Sequence, residues 1–279
     1  MNHLFTITKS DGTQELFEEE KLRGSLTRVG ASPEAIDDVL ATVTKTMKNG
    51  MKTGEIYHHA FSLLKKHSQP AAVKYSIRRA LTDLGPDGFP FEKFVARIFE
   101  AWGYKTVTDQ KVLGRCISHE IDVVAWKADS LAMVEVKFHH EAGLRSDSKV
   151  ALYIEARRED VQDTFFDYGG TKRKISEFWL VTNTKFTDQA ITYAECHNLK
   201  LLGWNHPAEN NLHEIIEKNK LHPITCLTTI AHDQKRNLIA RGIVTCKDLI
   251  ADPHALGFIG IAGPFAEKVI EEAHIIIEG

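Results

Sequence analysis

Apolar and polar residues alternate one by one in LFTITK near the start of the chain, the spacing of a strand with one buried face. SDGT follows, with Asp-Gly at the centre of a hairpin turn. The period then changes to that of helices. Over residues 33–47, Ile36, Val39, Leu40 and Val43 fall on one face. Thr53 is placed as an N-cap for a helix whose inner face carries Ile56, Ala60, Leu63 and Leu64. Another helix is expected over about residues 70–84. GPDGFP, at 85–90, interrupts any regular element and marks the best domain boundary.

Beyond it, helix and strand periods alternate. A helix, FEKFVARIFEAWGY, is followed by strands EIDVVAW and LAMVEVKFH. Then come a long helix around SKVALYIEARREDVQDTFF, a strand EFWLVTN, a helix over 187–197 and a strand LKLLGW. This is an α/β pattern. The last stretch is helical and holds two similar units, PITCLTTIAHDQKRNLIARGIVTCKDLI and ALGFIGIAGPFAEKVIEEAHII. Three domains are expected, at 1–85, 86–210 and 211–279.

Composition narrows the function. With 43% hydrophobic and 26% charged residues, the chain is globular and not disordered. A net charge of -3 excludes a strongly basic nucleic-acid coat. Contact with nucleic acid would have to come from local patches such as Lys172-Arg173-Lys174 and Lys235-Arg236. No apolar run approaches membrane length, and the first residues are polar, so a soluble cytoplasmic protein without a membrane partner is expected. The four cysteines are widely spaced and form no Cys-x-x-Cys. Cys116 and His119 stand at a metal-ligand spacing but have no partner pair, so buried or surface residues are the commoner reading.

The chemistry concentrates in EIDVVAW and LAMVEVKFH. On a strand, Glu135 and Lys137 point the same way. If residues 127–130 form the turn and Trp126 meets Leu131, Asp122 falls directly opposite Glu135, with Cβ atoms roughly 5 Å apart. Two such carboxylates repel, and a bridging Mg2+ or Mn2+ would reconcile them. The Val136 carbonyl lies between the motif residues and is a candidate third ligand. Lys137 could then orient the attacking water and stabilise charge on a phosphate. A solvated hairpin face is the alternative, and E-x-K alone would favour it. Against it, Asp122 and Glu135 are embedded in nearly continuous apolar strands, where charges are costly unless paired or metal-bound.

FEKFVARIFEAWGY, HEIDVVA, VEVKFH and LVTNTKFTDQAITYAECHNLKLLGW together resemble the Mrr-like restriction endonucleases of the PD-(D/E)xK superfamily. His119-Glu120 stands where that family usually has glycines. The resemblance implies an α/β restriction-endonuclease-like core, a catalytic set of Asp122, Glu135 and Lys137, and double-stranded DNA as substrate. It also implies an acid from the first helix. Glu92 lies at the edge of that helix's apolar stripe and Glu100 nearly opposite, so Glu92 is the better candidate. A first-turn acid on the helix dipole is the equally common alternative. His139 and His140 follow the strand as possible phosphate contacts, though surface histidines are commoner.

Two further resemblances flank the core. FTITKSDGTQELFEEEKL and NGMKTGEIYHHA resemble the ATP-cone, a small, mostly helical nucleotide module. This implies ATP or dATP as effector, phosphate contacts from Lys9 and Lys21, a base contact from Ile7, and Thr53 within the matching T-x-x-I element. Ser10 stands where the family has Arg, and Tyr57 where His is common. GFIGIAGPFAEKVIEEA is similar to a helix-hairpin-helix, with Gly260 and Ala262 in the hairpin and Ala266 opening the next helix. A small protein-contact domain is the alternative there. The combination implies a Mg2+- or Mn2+-dependent DNA endonuclease regulated by adenine nucleotide, acting in restriction or defence, and a homo-oligomer. The alternative is an inactive nucleotide-responsive DNA-binding regulator built on a nuclease scaffold.

Overall fold

The computed structural model describes residues 5–9, 12–85, 87–141 and 143–278. The packing divides them into two units, one running up to Arg79 and rejoined at the extreme C-terminus, the other covering residues 80–277.

The first unit contains β1 (Thr6–Thr8), β2 (Gln14–Leu16), α1 (Glu19–Arg28), α2 (Pro33–Thr46), β3 (Met51–Lys52), α3 (Thr53–His67) and most of α4 (Gln69–Thr82). β1 is central, antiparallel to β2 and parallel to β3, so Ile7 faces Glu15 on one side and Met51 on the other. Ser10 and Asp11 of the expected hairpin turn lie outside the described residues. On the flank, Lys9 N–H donates to the Thr13 carbonyl at 2.8 Å. The apolar face read from α2 is buried at all four positions. Thr53 is not the cap of α3. It is the first helical residue, Lys52 is the cap, and the Glu55 carboxylate accepts the Lys52 N–H at 2.8 Å. A glutamate in the first turn can satisfy the cap amide without a hydroxyl at the cap itself.

The second unit begins with α5 (Phe89–Ala101), β4 (Lys105–Leu113), β5 (Ser118–Lys127), β6 (Ser130–Lys137), β7 (Arg145–Ser146) and α6 (Ser148–Val161). β8 (Phe166–Tyr168), β9 (Thr171–Arg173), β10 (Glu177–Thr182), β11 (Lys185–Phe186), α7 (Asp188–His197) and β12 (Lys200–Leu202) follow. Five strands form a mixed sheet in the order β12-β10-β6-β5-β4, parallel from β12 to β6 and antiparallel from there to β4. Val124, Leu131 and Met133 share a core with Ala151 and Ile154 of α6 and with Ala190 and Ala194 of α7. α5 packs on β4 and β5. β4 has no counterpart in the sequence reading, because among its nine residues only Val112 is buried.

The helix expected over 148–166 stops at Val161. β-branched and aromatic residues at Thr164, Phe165 and Phe166 favour the strand that follows. β8 and β9 turn through Gly169 and Gly170, both at positive φ. A Cβ on Gly169 would approach Trp126 Nε1 to 2.8 Å, so glycine is required there twice over.

The remaining helices are α8 (Leu212–Lys218), α9 (His232–Ala240), α10 (Cys246–Ala251) and α11 (Pro264–Glu278), with 3-10 turns at Ile224–Cys226 and Pro253–Ile259. The two similar units share one hairpin geometry. Gly242 N–H reaches the Ile239 carbonyl and Ile243 N–H the Leu238 carbonyl. Gly260 N–H reaches Gly257 and Ile261 N–H reaches Leu256 in the same way. Arg97 Nε of α5 donates to Asp248 of α10 at 2.8 Å, which fastens this segment to the α/β core, and Thr225 Oγ1 donates to the Ala80 carbonyl near the end of α4 at 2.6 Å.

Candidate active site

The β5–β6 hairpin has the register expected from the turn. Lys127 pairs with Ser130 across Ala128 and Asp129, and the pairs continue from Trp126–Leu131 to Val123–Val134. One step further Asp122 stands opposite Glu135. There the ladder stops, because the Asp122 carboxylate accepts the Val136 N–H at 2.6 Å. On the other flank, β4 pairs with Val123 and with Ile121 but skips Asp122, where Asp109 turns to a φ of +54°. Asp122 therefore occupies a gap in both ladders. Its carboxylate turns to the N–H of Val136, the residue between Glu135 and Lys137 on β6.

Charge crowds this point. Burial, and then the Glu135 charge, push Asp122 up from 3.8 to about 6, although the Val136 N–H and Arg157 pull the other way. Glu92, in the first turn of α5, is pushed up from 4.5 to about 7 by burial and then by Asp122, Asp109 and Glu135. Glu92, Asp122 and Glu135 thus feel one another. Glu100 does not join them. It is exposed, paired with Arg97 and accepting the Thr106 hydroxyl at 2.6 Å. Lys137 ends β6 opposite Thr182, whose hydroxyl donates to the Lys137 carbonyl at 2.7 Å. Its exposed ammonium makes no ion pair among the described residues.

The sequence reading missed Arg157. It points inward from α6 and donates to Glu135 and, at 2.7 Å, to the Tyr153 hydroxyl. A signal was present: Arg157 lies three residues after Ile154 and four before Val161, on the stripe α6 buries.

Other candidates are engaged elsewhere. His139 faces Ser146 Oγ at 3.1 Å, and burial lowers its pKa. His140 stands edge-on to Phe138. Arg173 donates to the carbonyls of Ala128, Tyr168 and Thr171. Lys235 reaches the Thr225 carbonyl, and burial lowers its pKa. His119 Nε2 lies 2.8 Å from Asp160, which also accepts the Cys116 and Ile117 amides. Among the described residues, no three His, Cys, Asp or Glu side chains stand together as a ready metal shell. A cation here would rely on Asp122 and Glu135 with main-chain oxygen such as that of Val136.

In the first unit, Lys9 and Lys21 converge. Both ammonium groups reach Glu15, at 2.5 and 3.8 Å, and Lys21 also pairs with Glu18 at 2.8 Å. Ile7 is buried on β1, beside Met51, two residues before Thr53. Both lysines are therefore neutralised by carboxylates at the place assigned to a phosphate.

The fold and its acidic centre agree with a family match: residues 86–206 match the restriction endonuclease family, which defines this segment as a restriction-endonuclease-like nuclease domain. Residues 222–277 match the AF1548-like C-terminal family. An uncharacterized protein of Archaeoglobus fulgidus is 35% identical over 184 residues, 66% of this chain and 99% of that one. The crystal structure of AF1548, a protein of unknown function, is similar with a TM-score of 0.57 and 34% identity, over 69% of this chain and all of that one. The chain belongs to the AF1548-like family. Both family matches begin after residue 85. No helix among the described residues is long and apolar enough to cross a membrane.

Proposed function

We propose that the chain is a divalent-cation-dependent endonuclease hydrolysing phosphodiester bonds of double-stranded DNA. The observation that carries this is the mutual influence of Glu92, Asp122 and Glu135, with Lys137 two residues after Glu135 on β6, inside a domain of the restriction endonuclease family. The values of about 7 and about 6 at Glu92 and Asp122 come first from burial and then from the neighbouring carboxylates, so both acids are held ionised at a cost. A scaffold for binding alone gains nothing from that cost; a cation site does. Asp122 and Glu135 would hold Mg2+ or Mn2+, with the Val136 carbonyl as a main-chain ligand. The bound ion supplies Lewis acidity and a water of lowered pKa. Lys137 supplies the positive charge that orients the water and meets the charge growing on the phosphate. Glu92 draws the first-turn side of α5 into the same acidic field.

The first unit we read as the regulator: an ATP-cone in which ATP or dATP takes the place of Glu15 between Lys9 and Lys21, with the base against Ile7 and the Thr53 turn. Restriction or defence is the corresponding role, in the cytoplasm, with assembly of copies as the route from nucleotide to nuclease. Plasmid cleavage with and without Mg2+ tests the central reading. Lys137→Ala is expected to abolish cleavage under single-turnover conditions while its thermal melt stays that of the wild type. Undiminished cleavage by this variant would refute the assignment.

A further inference from the structure

Arg157 is a buried cation beside the acidic trio, and the nuclease reading leaves it unused. Its side chain is 9% exposed. The guanidinium is held by Glu135 through Nη1 and by the Tyr153 hydroxyl through Nη2, with its carbon 4.7 Å from the Tyr153 ring centre. Nε is buried and has no hydrogen-bond partner. Burial disfavours this cation, and the Glu135 charge is the largest influence opposing it. Among the described residues Arg157 is the one side-chain cation bonded to Glu92, Asp122 or Glu135.

Resting on the nuclease reading, we infer that Arg157 is a positioning residue that competes with the divalent cation for Glu135 and so sets how much cation the site requires. The bonded Glu135 oxygen is given to the guanidinium, and a small ion approaching it meets a fixed positive charge. The attraction of the acidic pair for the ion is reduced by its repulsion from Arg157 where the guanidinium stays, and by the lost Arg157–Glu135 interaction where it gives way. Both terminal nitrogens are engaged, each by a different partner, and Nε is not, so the group lacks the two-point grip of a single carboxylate. Space for withdrawal exists. A cavity of about 340 Å3 is lined by Arg157 and Tyr153 together with Arg115, Cys116, Glu159 and Asp160. Asp160 is held by His119 and the Cys116 and Ile117 amides, so Glu159 is the acid a displaced guanidinium would meet there.

The test is Mn2+ calorimetry on the full chain at pH 8, above the raised values of Glu92 and Asp122. The variants are Arg157→Gln, Arg157→Lys and Arg157→Met. The Met variant keeps the apolar packing of the buried stem and gives a second charge-removing replacement where the Gln variant folds poorly. Loss of one positive charge beside the ion is expected to tighten Mn2+ binding about tenfold in the Gln and Met variants. Arg157→Lys should stay near wild type. The Mn2+ concentration for half-maximal plasmid nicking should fall by the same factor. Without cation the Gln and Met variants should melt below wild type, and added Mn2+ should close that gap, because the ion replaces the missing charge. A merely structural arginine would lower the melt equally with and without Mn2+. Unchanged or weaker Mn2+ binding in the Gln and Met variants, with wild type binding normally, would overturn the role of Arg157 alone. No Mn2+ binding and no nicking by wild type would overturn the nuclease reading, and this inference with it.

Discussion

Asp122→Asn should make the cation-free protein more stable at pH 8, although it removes a central residue of the site. Asp122 is raised by about two units, from 3.8 to about 6. At about 1.4 kcal/mol per unit, the ionised carboxylate costs about 3 kcal/mol of folding free energy at pH 8. Asparagine keeps an oxygen for the Val136 N–H, and the preference of that N–H for the ionised form is already contained in the net rise. The expected gain is therefore about 3 kcal/mol. The sign with pH is the reverse of the usual aspartate. The folded state holds this proton more tightly than the unfolded chain, so wild-type stability falls as pH rises between 3.8 and about 6. The advantage of Asp122→Asn is therefore full above that window and fades below it. Urea denaturation with a chelator, at pH 8 and at pH 4, measures both ends. Added Mn2+ should then stabilise wild type and leave the variant where it was. A variant less stable than wild type at pH 8, or a gain of equal size at pH 4, would show that Asp122 is not held at a cost and would remove the main argument for a cation site.

Glu92→Gln should lower single-turnover cleavage less than Lys137→Ala does, and should flatten the rise in rate between pH 6 and 8, where Glu92 loses its proton; an unaltered pH profile would separate Glu92 from the site. Glu272 gathers both the amides and the hydroxyls of Thr228 and Thr229. Glu272→Gln leaves one threonine amide facing an NH2 group, while the hydroxyl beside it can turn to accept, and should cost about 1–3 kcal/mol in chemical denaturation. In the first unit, ATP or dATP should give binding heat with wild type and none with the Lys9→Ala, Lys21→Ala double variant; equal heats, or none from either protein, would leave the ATP-cone reading without its ligand.

The parts legible in the sequence are those set by a local period. A two-residue turn gave the register of the hairpin from Lys127–Ser130 to Val123–Val134, one step short of Asp122 and Glu135, because in an antiparallel hairpin one pair determines the others. The helical wheel separated Glu92 from Glu100 for a similar reason: a rigid 3.6-residue repeat converts sequence spacing into direction. Where the period fails, reading fails too. β4 carries Lys105, Thr106, Thr108, Asp109, Gln110 and Lys111 among its nine residues, so neither face registers as apolar. It is held in the sheet by its ladder to β5 and by α5, not by a hydrophobic face of its own. The Thr53 cap failed on one position because Glu55 could serve the preceding amide equally well.

Arg157 marks a different boundary of legibility. Its place on the buried stripe of α6 follows from spacing alone, but its partner lies 22 residues away on β6. Burying an arginine is unfavourable until the opposing charge is known. That opposing charge is Glu135, which the sequence had already assigned to a cation. The two assignments compete for one carboxylate, and neither is visible from the other's local pattern. The same logic holds in the first unit, where Glu15 occupies the meeting point of Lys9 and Lys21. In both places a side chain of the protein supplies the charge that a ligand is expected to bring. A site of this kind is stable without its ligand and gives up an internal ion pair when the ligand arrives. Its affinity is then set by the difference between two interactions and not by the strength of one, which is why removing the charge at Arg157 or at Glu15 should move binding in the tightening direction.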